Sequence, residues 1–152
     1  MNPAEGRINK LSLRRSELKQ AGNYREAIPL QLEIIELLEE SATPRERLAS
    51  EHNYASVLYL RCALYSTAEL HARHALSLSS GETPRGVEAR GCFHMVLAQI
   101  LAAQYWFEDA LPYGENAIRD YGVFHNPPDE FLERIADEVE RIRNRTWSPP
   151  PD

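Results

Sequence analysis

Four prolines, Pro3, Pro44, Pro84 and Pro127, each follow a residue able to cap a helix: Asn2, Thr43, Thr83 and Asn126. They stand 41, 40 and 43 residues apart. A Thr or Asn side chain satisfies free amides at a helix start. Proline suits the first helical position because its missing N–H would bond nothing there. Acidic residues follow in the first turn or just beyond it, at Glu5, Glu46, Glu88 and Asp129, and Thr43 with Glu46 forms a capping box. Helix starts therefore recur along this chain at nearly one period.

A second series keeps the same period. GNYREAIPLQLEII, ALYSTAELHARHAL and YWFEDALPYGENAI align without gaps. An aromatic stands at Tyr24, Tyr65 and Phe107, and three residues later comes Ala27, Ala68 or Ala110. Seven further on are Ile34, Ala75 and Ala117. Positions three and seven apart share one face of a helix, and small residues on that face let a neighbouring helix approach closely. Seven helices are expected, over 3–21, 24–40, 44–62, 65–79, 84–104, 107–121 and 127–145. Gly22 and Gly122 stand where helices should end. Pro29 and Pro112 occupy corresponding places inside the second helix of the first and third pairs, where each removes a backbone bond.

The totals suit one soluble domain. The chain has 152 residues, 43% hydrophobic and 26% charged, with a net charge of -6. An acidic balance argues against a nonspecific grip on nucleic acid or anionic membrane. Cys62 and Cys92 form no Cys-x-x-Cys pattern, so neither a disulfide framework nor a structural zinc site is expected. The opening MNPAEGRINKLSLRR holds no apolar run of signal-peptide type, and no stretch reaches membrane-span length. Cytoplasmic residence is the expectation.

The pattern resembles tetratricopeptide repeats, with a period near that of the long variant in kinesin light chains. The resemblance covers residues 3 to about 145 and is best in NYASVLYLRCALYSTAELHARHALSL. A small residue stands midway along the first helix of repeats two and three, at Ser56 and Ala98, whereas repeat one has Arg15. The resemblance implies an all-α fold, a right-handed superhelical stack of three helix-turn-helix repeats plus a C-terminal capping helix. A single domain is expected over 1–146, with repeats at about 3–40, 44–79 and 84–121, the cap at 127–145 and a Pro-rich tail at 147–152. The cap helix has an apolar stripe at Phe131, Ile135, Val139 and Ile142. Its charged face carries Glu133, Arg134, Asp137, Glu138, Glu140 and Arg141. Trp106 is expected to pack at a turn and Trp147 at the cap.

No catalytic signature is present: no phosphate-cradling Gly loop, no Gly-x-Ser-x-Gly and no His-Glu-x-x-His. His71 and His74 lie three apart on one helix without a complete metal motif. Cys62 with His52 or His94 could pair as nucleophile and base, but nothing in the sequence orients them. No enzyme activity, metal or cofactor is expected. Members of the resembled family line a concave groove with the first helix of each repeat. The matching positions here are Ser12, Ser16 and Lys19; Asn53, Val57 and Leu60; and Met95, Gln99 and Ala102, with Tyr54 and Arg61 flanking the middle set. The resemblance thus implies a protein-interaction module whose partner-binding residues are Lys19, Asn53, Tyr54, Arg61 and Gln99. Asn and Gln can hold a peptide backbone, and Lys and Arg a carboxylate. A dense basic clamp for a carboxylate tail is not complete, because repeat three offers Met95 and Gln99; a groove for an extended or helical segment with apolar anchors fits better. Two alternatives stand beside this reading. One is a scaffold or regulatory subunit that self-assembles through its stack ends. The other is an enzyme or metal protein using the Cys and His residues.

Overall fold

The computed structural model describes residues 2–149. Among them are seven α-helices and no strand. The helices divide between two compact units, one over residues 1–78 and one over 79–151. The first holds α1 (Pro3–Gln20), α2 (Tyr24–Glu40), α3 (Arg45–Arg61) and α4 (Tyr65–Leu78). Each packs on the next, α1 on α2, α2 on α3 and α3 on α4. The second holds α5 (Pro84–Ala103), α6 (Phe107–Gly122) and α7 (Glu130–Arg143), with α5 packed on α6 and α6 on α7. No helix among the described residues is long and apolar enough to cross a membrane.

Every helix falls within three residues of its expected span, because the period marks both ends. Asn2 accepts from the Ala4 N–H and Thr83 from the Gly86 N–H, as capping side chains should. Two starts differ. Helix α3 begins at Arg45 with Pro44, in extended geometry, as its N-cap; the Thr43 hydroxyl pairs with Ser41 Oγ instead of an amide. Helix α7 begins three residues later than expected, at Glu130, and its cap is Asp129, which accepts from the Leu132 N–H. The cause is Pro128: a residue before proline is pushed away from helical geometry, so Pro127 cannot open a helix.

Both period-matched rows are buried. Ala27, Ala68 and Ala110 are fully buried, and so are Ile34, Ala75 and Ala117. In the first unit Ile8, Leu11, Ile34 and Leu38 make one core cluster, and Leu18, Ala27, Ile28 and Leu58 a second. In the second unit Leu97, Ile100, Leu101, Val139 and Ile142 are buried. There α6 comes close to α7 at Gly114, where a Cβ would stand 2.9 Å from Val139 Cγ2. Tyr121 meets Phe131 edge to face at 4.9 Å. Leu132 rather than Phe131 is the buried residue at the start of α7. Glu138, expected on the charged outer face, is half-buried and accepts from both Gln99 and Trp147. Trp147 is buried and belongs to the fold rather than to the tail. Residues 150–152 of the expected tail lie outside the described residues.

One turn recurs. After α1, α3, α5 and α7 the chain passes through a left-handed residue: Gly22, Ala63, Tyr105 and Arg145. Each of these donates to the carbonyl three residues back, and the next residue reaches five back, as Asn23 does to Leu18, Leu64 to Tyr59, Trp106 to Leu101 and Thr146 to Arg141. This bond pair satisfies carbonyls left open at a helix end. Gly22, Ala63 and Tyr105 are 41 and 42 residues apart, in step with the alanines.

Candidate functional site

In the first unit, α1 and α3 bring Lys19 and Tyr54, two of the expected binding residues, together with Arg15 at one ring. The Tyr54 ring is half-buried against the Leu18–Leu58 cluster. The Arg15 guanidinium lies 3.9 Å from its centroid and the Lys19 ammonium 4.9 Å. Arg15 and Lys19 are four apart on α1, so they share a helix face and both reach the ring. A cation near an aromatic face is attracted by the ring's negative face. Lys19 is exposed and forms no ion pair among the described residues.

Arg15 itself is 9% exposed, and its charge is met from two other helices. Its Nη1 donates to Gln31 Oε1 on α2 and, at 2.9 Å, to Glu51 Oε2 on α3. Gln31, fully buried, closes the triangle by donating to Glu51 Oε2 and to the Glu51 carbonyl, each at 2.8 Å. A buried arginine needs such partners, since an uncompensated charge in the interior costs several kcal/mol. The departure noted at position 15 is thus a polar tie joining α1, α2 and α3. Ser56 and Ala98, its period-equivalents, are simply buried.

The other named residues sit elsewhere. Asn53 is 9% exposed, inside α3, and its carbonyl accepts from Ser56 Oγ at 2.6 Å. Arg61, near the end of α3, donates to the Tyr24 hydroxyl at 3.2 Å and lies over that ring at 5.0 Å. Gln99 belongs to the second unit, where it donates to Glu138 Oε1 at 2.7 Å. Gln31 and Glu51 were not singled out from the sequence, and Tyr24 entered there only as an aromatic of the period-matched row. Gln31, a polar residue inside the apolar run IPLQLEII, was the available signal.

The histidines meet across helices more closely than along one. His52 on α3 puts Nδ1 3.0 Å from His71 Nδ1 on α4, one ring donating to the other. The His74 ring stands edge-on to His52 at 4.3 Å, and Tyr59 stacks on His71 at 5.4 Å. Glu39 of α2 approaches His52 Nε2 to 3.9 Å. Burial, with the neighbouring His74 and His71 adding to it, pushes His52 down to about 4; burial also lowers His71. In the second unit His94 Nδ1 lies 3.0 Å from Asp120 Oδ2, and burial holds that imidazole below its ordinary value despite the carboxylate. The Cys92 thiol bonds the Tyr121 hydroxyl, whose ionisation burial pushes up strongly. Among the described residues no group of three His, Cys, Asp or Glu is arranged to hold a metal ion.

No protein-family model matches this chain, and no curated protein matches it in sequence.

Proposed function

We propose that this chain is a non-catalytic helical-repeat module of tetratricopeptide type that binds a peptide or protein segment on the face formed by α1 and α3. What supports the reading most is the Lys19–Tyr54 pair, an exposed ammonium over a half-buried ring on α1 and α3. Tyrosine supplies contact area with a polar handle, and a lysine free of internal ion pairs has its charge available for a partner's carboxylate. Arg61 adds a second cation on α3, held at Tyr24. Asn53 is too buried to be a primary contact, so it serves as a packing control.

The test begins with a partner recovered by pull-down and weighed by native mass measurement. Lys19→Ala and Arg61→Ala should each leave the melting temperature nearly unchanged and weaken partner binding by about 1–3 kcal/mol. Asn53→Ala should lower stability first. A partner whose affinity ignores both cation variants would sink the reading. If that partner is a second copy of the chain, the self-assembling scaffold replaces it.

A further inference from the structure

The turn between α5 and α6 exposes two large aromatic side chains. At the left-handed position, where repeat one has Gly22 and repeat two Ala63, stands Tyr105, with φ of 65°. A bulky side chain is disfavoured there, because its Cβ crowds the following carbonyl. Burial does not offset that cost, since Tyr105 is 81% exposed. The next residue is Trp106, 49% exposed, where the earlier turns have Asn23 and Leu64. Backbone strain of this kind gathers at functional positions, so an observed outlier supports a functional reading.

Charge selects the occupant. Tyr105, Trp106, Phe107, Glu108, Asp109 and Arg145 line a depression of about 260 Å³, with Tyr105 edge-on to Phe107 at 6.2 Å. Arg145 holds Glu108 at 2.7 Å, whereas Asp109 is exposed and has no ion pair among the described residues. Residues 1–78 hold ten basic and ten acidic side chains. Residues 79–151 hold seven arginines and 12 Asp and Glu, a net charge of -5 out of the chain's -6. An anionic segment would be repelled from this unit and a cationic one drawn to it. Arginine stacks on aromatic faces and pairs with carboxylates through one planar group.

We infer that the α5–α6 corner, Tyr105 and Trp106 with the Asp109 carboxylate beside them, docks an arginine-bearing segment of a partner protein. The aromatic faces take the guanidinium plane and Asp109 takes its charge. This surface is separate from the Lys19–Tyr54 face and stands or falls without it.

The indole N–H signals of Trp106 and Trp147 in a nitrogen-proton NMR spectrum supply the assay. Trp147 is buried and donates to Glu138, so it is the internal control. The probe is a blocked arginine–glycine peptide, with glutamate–glycine and polyproline peptides for comparison. The Trp106 signal should move with the arginine peptide alone, and less so in high salt. Tyr105→Gly should weaken binding by about tenfold. The same variant should melt at a higher temperature than the parent, because glycine suits the left-handed turn. That pairing separates a binding role from a structural one. Asp109→Asn should weaken the arginine peptide with no change in melting. A Trp106 signal that stays still, moves equally with polyproline or glutamate–glycine, or ignores Tyr105→Gly would overturn the proposal.

Discussion

Acidification should loosen the first unit through His52, and the size of the effect follows from its surroundings. The ring is 7% exposed and faces Glu39 from α2 and His71 and His74 from α4. In the unfolded chain it titrates near 6.5, whereas burial and the two other imidazoles push it to about 4 in the fold. Above 6.5 it is neutral in both states and costs nothing. Below that value the unfolded chain binds a proton that the folded chain refuses, so stability falls as pH drops from 6.5 toward 4. At about 1.4 kcal/mol per pH unit, the loss reaches ~2 kcal/mol by pH 5 and ~3 kcal/mol at pH 4. A domain of this size has a total of about 5–15 kcal/mol, so the change is easily seen. Urea denaturation followed by circular dichroism, from about pH 7.5 to pH 5, compares the parent with His52→Gln. The variant should lose ~2 kcal/mol less than the parent over that range, whatever its stability at neutral pH. Parallel curves for the two proteins would refute the reasoning. So would a His52 ring proton that titrates at or above 6.5.

Three further outcomes test the packing. Gly114→Ala should cost about 1–3 kcal/mol in thermal melting, because its Cβ would press on Val139 of α7. Gly122→Ala, with open space around it, should cost nothing and gain up to about 1 kcal/mol. Arg15→Ala should destabilise by about 3 kcal/mol in urea denaturation, since it leaves the buried Gln31 Oε1 without its donor and the Glu51 carboxylate without its cation. Removing residues 127–152 should expose the α6 surface around Gly114 and Tyr121, and the shortened chain should aggregate in light scattering.

Helix positions were legible because two independent series, the prolines and the small-residue rows, kept one period and marked opposite ends of the hairpins. The misplaced starts of α3 and α7 arose where proline geometry outweighed a capping residue, at Pro44 and at Pro127–Pro128. Lys19 and Tyr54 were brought to one face only by the family resemblance, since spacing within α1 or within α3 does not say how the two helices meet. The Arg15–Gln31–Glu51 tie was not legible, because its members are 16 and 36 residues apart and depend on how three helices dock. The histidines show the same limit. Sequence spacing suggested His71 with His74, while the shortest contact joins His71 to His52 across two helices. Trp106 was expected to pack at its turn and is instead half exposed, since the turn closes by backbone bonds alone.

Repeats that look alike can also dock in the wrong order, a characteristic failure of repetitive chains during folding. The tie at Arg15 acts as a lock keyed to one helix. Gln31 and Glu51 present an amide and a carboxylate that only a long cationic donor can reach. A helix bearing Ser or Ala at the same place would leave the buried Gln31 oxygen without a donor and the Glu51 carboxylate without a cation. Mis-ordered arrangements of α1, α2 and α3 are therefore penalised while they are still forming. Arg15 is what tells α1 apart from α3 and α5, which carry Ser56 and Ala98 at the matching place.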